Sequence, residues 1–528
     1  MSLDPVRLEV LRHALAGVAE EMLAALIRTG LSPNIRERHD CSTALFDADG
    51  HMIVQSESMP VHLGSMPFSV AAAIDAVDAF EPGDVVALND PFHGGAHLPD
   101  LTLVTPLFDD EGALKAFAAN RAHHADVGGM RPGSVAGDAT EIFQEGVRIP
   151  PIKLWHKGKL NDEAWALFLA NVRTPREREG DLRAQYAANE TARRRLDALV
   201  DRVGWATLTD AMRELNDYSE RRMRAEIERL PDGTYAAQDV LDDDGHGHSD
   251  LTIRATLTIE GDELTIDFAG TAAQVDGPLN APFAVTASAV YYAVRCLTDP
   301  TIPPNHGCYR PVEIKAPSRS LVNAEPPAAV VGGNLETSQR IVDVLIKALF
   351  EITPERAIAA CQGTMNNFTF GGVNPDTNEP FTFYETIAGG VGASAHRDGP
   401  DGTHSHMTNT LNTPIEVMES SFPVRVERYE FRLDSGGHGR HRGGHGLRRD
   451  VRALAPMTVS LLADRRRSRP YGLDGGEPGA TGADRLIQGD RETAFPSKGS
   501  RGLRPGDVIS IRTPGGGGYG STEGSEDD

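Results

Sequence analysis

The chain has 528 residues, with 52 Lys and Arg against 76 Asp and Glu, and a formal net charge of −24. That balance argues against a nucleic-acid or anionic-membrane surface and favours solubility. Single hydrophobic cores stop growing near ~250–300 residues, so two or more cores are expected. The four cysteines, Cys41, Cys296, Cys308 and Cys361, stand too far apart for a C-x-x-C metal motif, and so long a chain needs no disulfide staples. A reducing cytoplasm is the compartment these cysteines fit.

The N-terminal stretch carries Asp4, Glu9, Glu20 and Glu21, which sets it apart from a secretory signal or transit peptide. It reads as a helix capped by Asp4, with Pro5 at its first position. Leu8, Leu11, Leu15, Val18, Met22 and Leu26 form an apolar stripe, and Gly30 ends it. No apolar run approaches the ~20 residues a membrane-spanning helix needs. Residues 42–55, STALFDADGHMIVQ, read as a hairpin about Asp49-Gly50, and residues 69–80 as a helix ended by Pro82-Gly83.

The densest chemistry follows, in NDPFHGGAHLPD (residues 89–100) and HHADVGG (residues 123–129). Residues 101–108 and 114–122 read as strands joined by the turn Asp109-Asp110-Glu111-Gly112. Folding that hairpin brings residues 97–100 opposite residues 121–124, so His97, Asp100 and one of His123 and His124 can meet around one metal ion. Two imidazoles and a carboxylate suit Mn, Zn or Fe(II), with coordination positions left open. Gly94, Gly95, Gly128 and Gly129 flank both segments, and Asp126 is a candidate carboxylate for orienting a ligating imidazole. The plainer alternative is a set of hydrogen-bonding residues beside glycine turns.

Residues 161–230 read as two or three exposed amphipathic helices, with Arg193 to Arg195 and Arg221-Arg222 on solvated or salt-bridged faces. From Gly233 short alternating segments read as antiparallel strands. Helices are expected near residues 285–298 and 334–351, the latter capped by Asn334 or Thr337. The last third returns to strands between glycine-dense loops. The expected fold class is α+β and multidomain, with mixed and antiparallel sheets, flanking helices and glycine-rich loops. Its expected units are an N-terminal α+β region bearing the metal hairpin (1–160), a helical segment (161–230), a central α+β region (231–380), a C-terminal β-rich region (381–520) and a disordered acidic tail (521–528).

Other motifs carry less. His404 and His406, after His396 in a glycine loop, fit a substrate loop and a structural loop about equally. His438, His441 and His445 match no coordination spacing. Gly515 to Gly518 lack the following Lys-Ser or Lys-Thr of a phosphate loop, Gly332-Gly333 open a helix whose N-terminus can take an anion, and no G-x-S-x-G elbow is present. Arg465, Arg466, Arg467 and Arg469 are expected to pair with acids.

Taken together, ERHDCSTALFD (37–47), HLGSMP (62–67), NDPFHGGAHLPD, HHADVGG and IFQEGVRIPPIKL (142–154) closely resemble the hydantoinase B/oxoprolinase family. The likeness continues through NVRTPREREGDLRAQ (171–185), DFAGTAAQVDGPLNAP (267–282), GGNLETSQRIVDVL (332–345), YETIAGGVGA (384–393), SGGHGRHRGGHGLRR (435–449) and TPGGGGYG (513–520). The resemblance implies a large subunit working with a hydantoinase A-type ATPase subunit, which handles ATP. Together they would open cyclic amides such as hydantoins, 5-oxoproline or lactams. A sister branch carboxylates ketones, and a noncatalytic structural subunit is the third possibility. The resemblance assigns the divalent metal to His97, Asp100 and His123, with His124 in reserve. Asp126 or the unused histidine of the pair would then shuttle the proton.

Overall fold

The structure is a computed structural model describing residues 4–56, 58–62 and 64–522, so most of the expected acidic tail lies outside the described residues. Helix α1 (Pro5–Thr29) buries Leu11, Leu15, Val18, Met22 and Leu26, the stripe its periodicity predicts. Asp4 differs from expectation: its side chain makes no capping bond, and only its carbonyl accepts, from Leu8 N at 2.9 Å. A short helix α2 (Pro33–Arg36) leads into the first sheet.

That sheet contains β1 (Cys41–Asp47), β2 (Met52–Gln55), β3 (Val85–Leu88), β4 (Asp100–Phe108), β5 (Leu114–His123), β6 (Ile152–His156) and β7 (Lys159–Leu160). Its order is β2-β1-β5-β4-β3-β6-β7, antiparallel throughout. Successive residues of a strand face opposite sides, and the two cores show it. Cys41, Leu45, Ala116, Ala118 and Ala122 join one core with α1, whereas Ala44, Phe46, Phe117 and Ala119 join the other. Helix α3 (Ser65–Ala76) covers that second face. It lies four residues earlier than the expected 69–80, because Val77 turns extended and Phe80 instead packs edge-on against Phe117.

Three helices follow, α4 (Asp162–Ala170), α5 (Pro175–Val203) and α6 (Trp205–Ile227). Helix α5 packs on α1 and β5, so the helical segment shares a core with the first sheet. Its buried face includes the amides of Gln185 and Asn189, which bond Asn120 of β5. Arg193 and Arg195 pair with Glu190, Asp197 and Glu21 at the surface, as expected of that basic run.

The second sheet, β8 (Gly233–Asp243), β9 (Ser249–Glu260), β10 (Glu263–Asp267) and β11 (Val312–Lys315), has the order β11-β10-β9-β8. It is mixed, since β10 and β11 run parallel. Helices α7 (Phe283–Leu297), α8 (His306–Tyr309) and α9 (Ser338–Leu349) accompany it. Neither Asn334 nor Thr337 caps α9 with its side chain; a π-helical turn, Gly333–Thr337, enters it instead.

After these come β12 (Asn367–Val373), β13 (Pro380–Glu385), helix α10 (Ile415–Ser421), β14 (Val424–Arg432), β15 (Gly446–Ala453), β16 (Met457–Leu462), β17 (Arg485–Gln488), β18 (Arg491–Ala494), β19 (Lys498–Leu503) and β20 (Val508–Arg512). They form two sheets, β13-β12-β16-β19 and β14-β15-β20-β17-β18, around a core rich in phenylalanine. The glycine runs let backbones touch: a Cβ on Gly516 would lie 2.1 Å from Val391 O, and one on Gly444 1.9 Å from Pro400 O. The fold is thus α+β with four sheets among the described residues. No described helix is long and apolar enough to cross a membrane.

Candidate metal centre

The loop before β4 is pinned before it can present His97. Asp90 accepts from Phe92 N at 3.0 Å, and Asn89 Nδ2 donates to Leu98 O at 2.7 Å and Val147 O at 2.9 Å. Gly94 has φ +83°, and any Cβ there would strike Phe68 O at 2.2 Å. Asp100 opens β4 directly across from His123, the last residue of β5.

His97, Asp100 and His123 each offer a ligand atom, and these atoms lie within 4.8 Å of one another. His97 Nε2 is 3.2 Å from Asp100 Oδ1, and the His97 and His123 ring centroids are 5.1 Å apart. All three residues are buried. The alternation along β5 selects His123 over His124. His123 shares its face with Arg121, which bonds Ser69 of α3, whereas His124 points to α5 and meets Gln185 Oε1 at 2.9 Å.

The fit to a cation rests on atoms left without hydrogen-bond partners. Both nitrogens of His97, both carboxylate oxygens of Asp100, and Nε2 of His123 and of His62 are buried and make no hydrogen bond of good geometry, the imidazoles of His97 and His62 meeting Asp100 only as ion-pair contacts. Buried polar atoms are almost always satisfied, so a convergent set of orphans on imidazoles and a carboxylate is the chemistry of a divalent metal site. Burial opposes charge on Asp100, but the attraction of His97 and His62 outweighs it and holds the carboxyl well below the usual range. Burial, then the neighbouring His97, pushes His123 well below the ordinary imidazole value. Carboxylate and neutral imidazole are the ligating forms.

Three residues of this centre escaped the sequence reading. His62 Nε2 stands 3.5 Å from Asp100 Oδ2, and its Nδ1 lies 2.7 Å from Ser42 Oγ. Tyr384 of β13 stacks on the His123 ring, and the Asn34 amide lies 3.0 Å from His123 Nδ1. The segment HLGSMP is conspicuous, but nothing local marks His62 as a neighbour of Asp100. A cavity of about 10 Å³, roughly the volume a single water requires, is bounded by Asp40, His62, Asp100, His123 and Tyr384 among others. Burial raises the Asp40 carboxyl, against the pull of Arg38.

Two expected catalytic positions are placed elsewhere. The Asp126 carboxylate accepts from Gly128 N, Gly133 N, Arg173 N and Arg173 Nη1, at 3.0, 3.0, 3.1 and 2.9 Å, so it anchors a loop rather than orienting a ligating imidazole. His124 occupies the wrong face of β5 for a proton shuttle, and burial, reinforced by Arg178, lowers its pKa to about 4. His404 and His406 also part company. His404 is half-buried with both ring nitrogens inaccessible and without hydrogen-bond partners, while His406 Nε2 meets Asp343 Oδ1 at 3.1 Å. Arg465 and Arg466 pair with Asp239, Asp343 and Asp484, as expected of that basic run.

Residues 4–522 match the family model described as hydantoinase B/oxoprolinase. A Pseudomonas protein named as the B-type subunit of a D-/L-hydantoinase is 35% identical over 98% of this chain and 90% of its own length. The 5-oxoprolinase 1 of Arabidopsis thaliana is 38% identical over 98% of this chain, but the chain spans only 42% of that protein. Among solved structures, the ATP-dependent caprolactamase of Pseudomonas jessenii superposes with a TM-score of 0.92 at 33% identity, covering 99% of this chain and 92% of that one. Acetone carboxylase in its nucleotide-free form gives 0.90 at 20% identity, over 98% of this chain and 76% of that one, a likeness of fold alone.

Proposed function

The chain belongs to the hydantoinase B/oxoprolinase family, and from that premise we propose that it is the catalytic subunit of an ATP-dependent cyclic amidohydrolase, working with a hydantoinase A-type ATPase subunit. The observation that carries the reading is the buried, unpaired cluster of His97, Asp100 and His123 in a chain 33% identical to a caprolactamase along almost its whole length. The naming of the Pseudomonas relative as one subunit of a hydantoinase supports a two-subunit enzyme.

In this account the partner spends ATP to phosphorylate the ring carbonyl oxygen, giving an imidate-like phosphate. Water then adds at the activated carbon, the ring C–N bond breaks with a proton delivered to nitrogen to leave an acyl phosphate, and a second water cleaves that to carboxylate and phosphate. His97, Asp100 and His123 would hold a divalent cation, Mn, Zn or Fe(II), and the chemistry it would supply there is Lewis acidity, lowering the pKa of water toward neutrality and offsetting oxyanion charge. Asn34 and Tyr384 fix the His123 ring against rotation. The proton role passes from Asp126 and His124 to His62. Its Nε2 borders the cavity without a partner while Ser42 holds its Nδ1. The apolar wall formed by Met59, Val61, Leu335 and Met365 limits bulk water there.

The test is ring opening by the chain together with its ATPase partner, compared with His97→Ala. Loss of product and of bound metal in the variant, with its fold intact, is expected; full turnover by a metal-free His97→Ala protein would remove the assignment. Ketone carboxylation shares the fold, but its structural relative stands at 20% identity and lends it no further support.

A further inference from the structure

The first sheet carries a second hollow, on the face away from the metal cluster. Leu101 of β4 alternates with Asp100, so its side chain leaves the sheet on the other side, where it joins Ile152 and Leu154 of β6 beneath Trp165 and Phe168 of α4. Between them lies a cavity of about 230 Å³. Native interiors close around voids of this size, because unfilled apolar surface forfeits dispersion contacts. A cavity of about 150 Å³ with a similar lining takes benzene, so this one has room for roughly eight to ten carbon atoms.

The walls are braced against collapse. Val147 and Ile149 line one side, held by Asn89, whose Nδ2 donates to Val147 O at 2.9 Å and whose Oδ1 accepts from Ile149 N at 2.6 Å. Asn161 caps α4 by accepting from Ala164 N at 3.1 Å, and Trp165 is clasped between the edge of Trp155, ring centroids 5.8 Å apart, and the Arg183 guanidinium, 5.3 Å from its ring centre. The lining is apolar except for one charged group, the partly exposed Arg148. Its Nε meets Asp90 Oδ2 at 3.2 Å, which orients the guanidinium, while Nη1 and Nη2 make no hydrogen bond among the described residues. Leu167, a lining residue, is 68% exposed, and Phe143, whose ring centre is 5.8 Å from that guanidinium, is 63% exposed. A preformed apolar cavity with a single polar group and exposed apolar side chains beside it is the anatomy of a small-molecule site.

We propose that this cavity binds a compact apolar carboxylic acid, its alkyl or aryl body among Leu101, Trp165 and Phe168 and its carboxylate on the two terminal nitrogens of Arg148. A guanidinium whose Nε is already engaged still presents that pair as a fork matched to a carboxylate. Burial of the hydrocarbon body supplies the affinity, and the fork selects an acid over a neutral molecule of the same length. The site lies across the sheet from His97, Asp100 and His123 and does not depend on the amidohydrolase reading.

Octanoate and 1-octanol are the probes, titrated calorimetrically into the full chain with propionate as the short control. A single octanoate should bind, about a hundredfold or more tighter than propionate, since the longer chain buries five further methylenes. Arg148→Gln should weaken octanoate by about tenfold and leave octanol unchanged. Ala164→Trp, which fills the cavity from α4, should abolish binding of both; if that variant fails to fold, the partly exposed Arg148→Gln decides the matter. No saturable binding of octanoate at millimolar concentration would overturn the inference and leave the cavity to an apolar side chain of a partner protein. Octanoate binding unchanged in Arg148→Gln would overturn it by removing the carboxylate from the fork, and binding that persists in a folded Ala164→Trp protein would overturn it by placing the probe elsewhere.

Discussion

Tyr384 lies face to face with His123, ring centroids 4.4 Å apart and planes 12° apart, while its hydroxyl donates to Asn367 Oδ1 at 3.1 Å. A ligand's affinity for metal depends on how firmly its ring is oriented. Tyr384→Leu should therefore weaken metal binding by roughly 10–100-fold, whereas Tyr384→Phe keeps the stacked face and should bind metal nearly as wild type does. Competition against a chelator measures both. Equal weakening in the two variants would assign the effect to the hydroxyl instead.

His123 and His124 are adjacent in sequence and face opposite ways, His123 toward His97 and Asp100 and His124 toward Gln185. His123→Ala should abolish stoichiometric metal. His124→Ala should keep the metal and lose stability by about 1–3 kcal/mol, since Gln185 Oε1 loses its partner. Metal analysis beside denaturant unfolding separates them, and metal loss from His124→Ala would contradict the alternation argument.

Asp126 accepts four hydrogen bonds, which tie it to the loop around Gly128, Gly133 and Arg173. Asp126→Ala should unfold at lower temperature with its metal content unchanged. A variant as stable as wild type but inactive would restore the catalytic role that the sequence suggested.

Glu145 predicts a pH dependence of stability. It is fully buried, its Oε1 accepts from Val330 N at 2.8 Å and Val331 N at 3.0 Å, and burial pushes its pKa up to about 8. A carboxyl raised in this way binds its proton more tightly in the folded state than in the unfolded one. Its contribution is complete below about 4.5 and is lost as pH rises through about 8. Glu145→Gln retains an acceptor for both amides, so it should flatten that part of the stability profile and outlast wild type at pH 9. Parallel profiles for the two proteins would contradict this.

Much of the fold was legible because the signals were local. The Asp49-Gly50 and 109–112 turns sit between alternating apolar runs, and the second of them alone sets the register that pairs Asp100 with His123. The choice of His123 over His124 needed the face of β5 that carries Arg121 and α3, which is tertiary information. His62, Asn34 and Tyr384 reach the cluster from three other parts of the chain, so no spacing within the motif could reveal them. Asp126 misled because proximity in sequence to His124 resembled proximity in space, when the intervening turn swings its carboxylate toward Arg173. The missing caps at Asp4 and Asn334 have the same origin: residue type marks a helix start, but packing decides whether the side chain bonds there.

The central claim is ATP-driven opening of a cyclic amide at the His97, Asp100 and His123 cluster. The most direct test is phosphate release by the chain with its ATPase partner over hydantoins, 5-oxoproline, lactams and ketones, each with and without bicarbonate. The account predicts release stimulated by a cyclic amide, indifferent to bicarbonate and absent from His97→Ala. Release that requires both a ketone and bicarbonate would contradict it.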